Sequence, residues 1–502
     1  MTFRSYLIMI SPMLGMNIIL FILLLLVLFV LKSFVDKNKR FSKKDPKRFS
    51  KIEWPFLGSI HKITKLPYRA YNDAVMSEDG DGKMLSLWLG DRYTIVVSDP
   101  VIIKEIWSKN FQSFSGRYKH ESATLISGNY NNLLSGDFHA WQPLRAIVSS
   151  AFTKSKIRSM NTKMEDHTVL LIESMKEFQK SNQPFYPERL FKKYTMNVVL
   201  AIIFSKTLEE NNDGIINQIV MTFKNMLRMS SQGTMENYVK IMKPLLIRKR
   251  NTILSQLEIC KSYIRDIYNE HIVDFDPENP RDLFDIVIGE NPESVERIIR
   301  VALDLLLAGS DTSAATMIWF GLYMINYPDV QEKIANELKQ LNINKINLMH
   351  KPNTPYTMAV LKEVLRIRPI APLGLTRSNE EDMEICGYFI PKRTQILMNI
   401  FSVHHNPKYW PNPEEFNPDR FMTEESTTNY HDIWIPFGTG PRNCVASNLA
   451  IDEIYIAISN IILNFKLTSS TGSPADDTEV YGTTIHPKPY GIHLEQRNLN
   501  NN

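Results

Sequence analysis

The sequence predicts a mainly α-helical protein with a smaller β-sheet region (α+β), set behind an N-terminal membrane helix. Three observations carry this. Residues 13–31 form an apolar run broken only by Gly15 and Asn17. From about residue 140 to 340, apolar residues recur at helical spacing while glycine and proline are sparse. From about residue 369, prolines become frequent and strand-like runs appear.

The first run has the length of a bilayer span. A cleaved signal peptide competes with that reading, but the run is long and no small-residue cleavage site follows it. Between Lys32 and Lys51 there are nine Lys/Arg against two Asp, a net of +7, whereas only Arg4 precedes the run. This asymmetry places everything after residue 32 in the cytoplasm. The whole chain carries +4, so the part beyond the flank is near −4. The basic excess therefore belongs to the membrane flank, and no nucleic-acid partner is expected.

Residues 34–50 read as a charged, helix-poor linker, and Trp54-Pro-Phe-Leu-Gly58 opens the folded part. Met84–Ser98 reads as a hairpin, with Leu85, Leu87 and Leu89 alternating before a turn at Gly90-Asp91. Asp99-Pro100 caps a helix running towards Asn110. Pro292–Tyr327 reads as one long helix, capped by Asn291 and stopped by Pro328. Its apolar run is interrupted at Ala308-Gly-Ser-Asp-Thr-Ser313. A mid-helix glycine costs roughly 1 kcal/mol against alanine, and such a break marks a local widening or kink. Pro355–Arg368 is a second helix, on which Glu363 and Arg366 share a face. Strands are expected at Glu384–Phe389 and Thr394–Ile400, a final helix ends near Phe465, and the polar tail is expected to be disordered. The layout is anchor 1–31, basic linker 32–53, one domain 54–497 and tail 498–502.

Three cysteines, far apart, suggest neither a disulfide framework nor a zinc site. Cys260 and Cys386 read as buried apolar side chains, and His404 and His405 as structural. Cys444 differs. It ends the run Phe437-Gly-Thr-Gly-Pro-Arg-Asn-Cys444, directly ahead of a helix. Arg442, free helix amides and the positive end of a helix dipole all favour thiolate over thiol. A rigid loop holding a thiolate points to a metal ligand, with a structural cysteine in a turn as the alternative.

This run resembles the haem-binding loop of the cytochrome P-450 family, with Phe437, Gly438, Gly440, Arg442 and Cys444 matching. One position departs: the family's usual glycine two residues after the cysteine is Ala446, which adds a methyl group near the porphyrin. The Ala308–Ser313 segment is similar to the family's oxygen-activating stretch. LKEVLRIRP resembles its Glu-x-x-Arg helix, with Arg420 of Asn-Pro-Asp-Arg-Phe421 as third member of a structural network. Trp141 and Arg145 match its Trp-x-x-x-Arg pattern.

The resemblance implies the cytochrome P-450 fold, with a single domain binding haem b (iron protoporphyrin IX). Cys444 is then the axial thiolate on iron. Asp311 and Thr312 supply protons to dioxygen. Arg442, Trp141, Arg145, Arg377, Phe437 and Ala308 surround the haem, the arginines facing its propionates. It further implies a monooxygenase acting on O2 and a lipophilic substrate in the endoplasmic reticulum membrane, in contact with membrane lipid. No flavin, nicotinamide or iron–sulfur fingerprint occurs in the chain, so the implied electron source is a separate NADPH–cytochrome reductase. A peroxide-using haem-thiolate isomerase or dehydratase and a haem-based sensor are the competing readings. Phe114, Tyr118, Leu125, Phe223 and Met226 are candidate pocket lining.

Overall fold

In a computed structural model of the chain, residues 3–497 are described, apart from 40–43, 64, 79, 154–155, 157–159, 208–221, 223–236, 240–241, 243, 245, 291–293, 424–429 and 483. The polar tail and the candidate lining residues Phe223 and Met226 lie outside the described residues.

The N-terminal helix spans Phe3–Asn38, with large apolar side chains exposed from Ile18 to Leu31. It does not stop at Leu31, which corrects the expected helix-poor linker. Its last turn is held by the folded body. The Lys37 ammonium donates to the Gly90 carbonyl and lies 4.9 Å over the Trp88 ring. The Asn38 side chain exchanges hydrogen bonds with the Glu53 backbone at 2.9 and 3.0 Å. The linker also contributes a strand, β1 (Lys47–Arg48), to the main sheet.

That sheet contains the predicted hairpin, β2 (Met84–Leu89) and β3 (Arg92–Val97), in antiparallel register from Met84 opposite Val97 to Leu89 opposite Arg92. Gly90 turns it with φ +60, where a Cβ would lie 2.3 Å from the Tyr238 carbonyl oxygen. Only glycine fits so close a backbone approach. β4 (Arg377–Ser378), β5 (Met383–Ile385), β6 (Tyr388–Ile390) and β7 (Gln395–Met398) follow. The sheet order is β1-β2-β3-β7-β4, with β3 and β7 parallel. The run expected as one strand at 384–389 is instead a hairpin, β5–β6. Cys386 sits in its turn at φ +51 and is exposed, not buried.

Asp99 caps the next helix as expected, accepting from the Val101 and Ile102 amides. That helix continues as a π-turn, Glu105–Lys109, ending at Asn110.

The helical body is built on a core helix, Val295–Asn326, capped by Ser294 and Tyr327. The expected cap Asn291 and first residue Pro292 lie outside the described residues. The helix is continuous through Ala308–Ser313. Gly309 has another cause: a Cβ there would lie 2.9 Å from Val199 Cγ2 of the crossing helix Pro187–Phe204. The helix Pro355–Ile367 ends at Arg368, and the last helix, Ser447–Asn464, ends at Phe465. These helices share one apolar core, and a second core lies between the sheet and the segment around Trp410.

Candidate active site

The cysteine loop is closed by its own backbone. The Cys444 amide donates to the Phe437 carbonyl at 3.0 Å, and Asn443 to Gly440 at 3.0 Å. Gly438 and Gly440 have φ of +71 and +75, and a Cβ on Gly440 would lie 1.9 Å from the Trp107 carbonyl oxygen. That approach admits no side chain. Ala446 is different. Its φ is −97, an ordinary value for alanine, so the departure from glycine brings no backbone strain.

Cys444 opens into a cavity of about 350 Å³, within the range of small-molecule sites. Burial pushes its thiol up. The Ala446 amide and the Arg145 charge oppose this only in part. The thiolate-favouring role expected of Arg442 therefore falls to Arg145 and a backbone amide, and the loop alone leaves the proton on sulfur. A metal cation would remove it outright.

Opposite the loop the core helix presents Ala308, Gly309 and Thr312 to the same cavity. The Thr312 hydroxyl donates to the Ala308 carbonyl at 2.9 Å, leaving its oxygen free to accept. Asp311 is not part of this wall. It accepts from Thr484 at 2.9 Å, lies 3.2 Å from His486 Nε2 and pairs with Lys192 at 3.3 Å. Burial alone would raise its carboxyl, but these partners prevail and hold it well below the usual carboxylate range.

Four arginines border the cavity: Arg117, Arg145, Arg377 and Arg442. All three guanidinium nitrogens of Arg442 are buried without a hydrogen-bond partner, and so are Nε of Arg377 and Nε of Arg117. Arg442 stacks 4.4 Å over the buried Trp141. Burial and the neighbouring arginines push Arg442 down to about 7 and Arg377 down to about 8. Guanidinium resists deprotonation, so this cluster calls for anions. Arg145 is partly committed, donating to the Asn443 carbonyl and side chain at 2.8 and 2.9 Å. Phe437 lines the cavity beside the loop.

The expected network is assembled below. Arg366 donates twice to Glu363, at 2.6 and 2.8 Å, and Arg420 once at 3.3 Å. Both Glu363 and Arg366 are fully buried. Arg366 also bonds the carbonyls of His404 and Pro413 at 2.8 Å. His404 Nε2 accepts from the Ile435 amide at 2.9 Å, so the imidazole proton is on Nδ1, facing the Arg366 carbonyl. The network thus grips the strand of chain that enters the cysteine loop. His405, stacked 3.8 Å from the Phe401 ring, is also structural.

Three ionisable lining residues, Arg117, Asp304 and Glu453, escaped the sequence reading. Arg117 lies in a loop with no periodic signal. Asp304 could have been found, because 304, 308 and 312 fall on one helix face. Asp304 accepts from Asn132 and from the Leu133 and Leu134 amides, and burial pushes its carboxyl up to about 6. Of the candidate lining residues, Tyr118 borders a side chamber of the cavity, Phe114 is packed in the core, and Leu125 borders neither space.

The family model for cytochrome P450 matches residues 49–494. The chain belongs to the cytochrome P450 family. Probable cytochrome P450 519E1 of Dictyostelium discoideum is 35% identical over 96% of this chain and 100% of that protein. Probable cytochrome P450 519B1 of the same organism is 34% identical, over 96% and 100%. A zebra fish cytochrome P450 structure with progesterone superposes with a TM-score of 0.76 at 23% identity, over 86% of this chain and 99% of that one.

This cytochrome P450 is therefore a haem-thiolate monooxygenase by family, and its cavity fits that cofactor. A thiol borders the space, its walls are largely apolar, and the unpaired guanidinium groups among the described residues could receive the cofactor's two carboxylates.

Proposed function

We propose that this cytochrome P450 inserts one oxygen atom from O2 into a lipophilic organic substrate, using electrons from NADPH delivered by a separate cytochrome reductase. When bound, haem b supplies the activation of O2. Cys444 would ligate its iron through the sulfur. Arg442 and Arg377 would hold the propionates, joined by Arg117, while Arg145 would divide its charge between cofactor and cysteine loop. Trp141 supports Arg442, and Phe437 and Ala308 would border the cofactor from the loop and from the core helix.

Thr312 offers a hydroxyl oxygen to the cavity and orients a proton there. Asp311 connects Thr312's turn of helix to partly exposed Lys192 and His486, giving protons a way in from solvent. The exposed apolar helix anchors the protein in the endoplasmic reticulum membrane as a single pass, with residues 54–497 as the cytoplasmic haem domain.

The observation that carries this reading is the Cys444 sulfur sharing one apolar cavity with Thr312 and the unpaired Arg442. The test is the spectrum of the reduced, carbonyl-bound protein. The wild type shows the thiolate-type Soret band, and Cys444→Ser abolishes it; survival of the band would mean another axial ligand. With reductase and NADPH, Thr312→Ala keeps its haem but diverts electrons to hydrogen peroxide. Unchanged coupling of electrons to product, or product formed equally without O2, would overturn the assigned chemistry.

A further inference from the structure

Beside the main cavity lies a chamber of about 150 Å³, which shares Arg117, Leu134, Gly374 and Leu375 with it as a common wall. Its far side is formed by Arg92, Tyr118 and Tyr238. Arg92 opens β3 at the hairpin turn and is only 8% exposed. Its guanidinium lies 5.1 Å from the Tyr118 ring centre and 4.6 Å from that of Tyr238. Among the described residues it has no hydrogen-bond or ion-pair partner, and no carboxylate lines the chamber. The adjacent Asp91 is paired with Lys37 at 3.4 Å.

Asp91 acts on Arg92 more weakly than burial and the surrounding tyrosines do; a buried cation with so weak a counter-charge among the described residues is costly, and a guanidinium does not relieve the cost by losing its proton. Two aromatic faces recover part of it. Their hydroxyl groups and the chamber's second cation, Arg117, make the space positive and more polar than the main cavity. The main cavity behind the common wall is predominantly apolar. One molecule satisfies both spaces: an anionic head joined to an apolar tail.

We propose that Arg92 binds the carboxylate of a lipophilic acid, whose tail runs past Leu134 and Leu305 towards Thr312 and leaves the Cys444 side of the main cavity to the cofactor. This rests on the reading of the main cavity as the place of cofactor and substrate together. Arg92 lines the chamber and not the main cavity, whereas Arg117 lies on the wall between them, so Arg92 acts on the ligand's head and sets selectivity among lipophiles rather than the chemistry.

The test titrates the full-length haem-loaded protein with dodecanoate and with dodecanol at pH 8, by calorimetry and by the Soret shift. Dodecanoate binds about tenfold more tightly in the wild type, a difference of about 1.4 kcal/mol. Arg92→Met, which keeps side-chain length without charge, removes the difference and leaves dodecanol affinity unchanged. Arg92→Lys retains part of it. Equal affinities in the wild type, or a preference that survives Arg92→Met, overturns the proposal. The reduced, carbonyl-bound spectrum is taken on the same samples. A missing thiolate band with a surviving calorimetric preference for the acid would refute the haem-ligand assignment and leave the Arg92 site standing.

Discussion

Glu453 is a carboxyl with nowhere to put a charge. It is 2% exposed on the last helix, faces the cavity, and its Oε1 has no hydrogen-bond partner. Burial pushes it up to about 8, against a partial counter-effect from Ser313. The folded value is above the unfolded value of 4.5, so between pH 4.5 and 8 the folded chain keeps a proton that the unfolded chain has lost. Stability therefore falls as pH rises through that window, by on the order of 3 kcal/mol at neutral pH. Glu453→Gln removes the titration while keeping the shape. Thermal unfolding followed by circular dichroism should show a shallower decline between pH 5 and 8 in the variant. Parallel profiles for the two proteins would show that Glu453 does not carry this slope.

The helix Pro355–Ile367 shows what a buried ion pair does for an element. Arg366 fixes Glu363 on its own helix and three carbonyls on the chain leading to the cysteine loop. Arg366→Ala leaves the Glu363 carboxylate with only Arg420 and the Asn417 amide. Removing one partner of a buried pair costs about 3–5 kcal/mol, so the denaturation midpoint drops and haem content falls with it. A variant with wild-type midpoint and haem content would contradict the network's role.

Local chemistry made this element legible in the sequence: Glu-x-x-Arg spacing puts both groups on one face, and proline marks both ends. The Asp99 cap and the β2–β3 hairpin were legible for the same reason. Gly309 was not, because its cause is Val199 on a helix more than a hundred residues away. Cys386 looked apolar in a strand-like run, but the left-handed turn that exposes it depends on how β5 and β6 pair. Arg117 and Arg92 gain meaning only when the loops bring cations together without carboxylates. The cysteine itself was legible, while the thiol's resistance to ionisation was not, since burial is a property of the fold.

At the scale of the whole molecule, the exposed helix and the folded body form one mechanical unit. Every large apolar side chain from Ile18 to Leu31 faces outward, an uninterrupted surface of the kind soluble proteins bury. Its last turn is clasped by Gly90, Asp91 and Glu53. Arg48 adds a bond to the Asn38 carbonyl at 2.9 Å. The clasp fixes the body against this helix rather than leaving it on a loose tether. If the bilayer covers this helix, charges placed at its middle must oppose insertion and leave the distant cavity untouched. Arginine at a helix centre costs roughly 2.5–3.5 kcal/mol per residue on insertion scales. Leu23→Arg combined with Leu26→Arg should move the full-length protein from the alkaline-washed membrane pellet into the soluble fraction, with its reduced, carbonyl-bound spectrum unchanged. Retention in the pellet at wild-type levels would show that another surface holds the protein on the membrane. Loss of the spectrum along with the membrane would show that the clasp transmits disorder from the helix to the site.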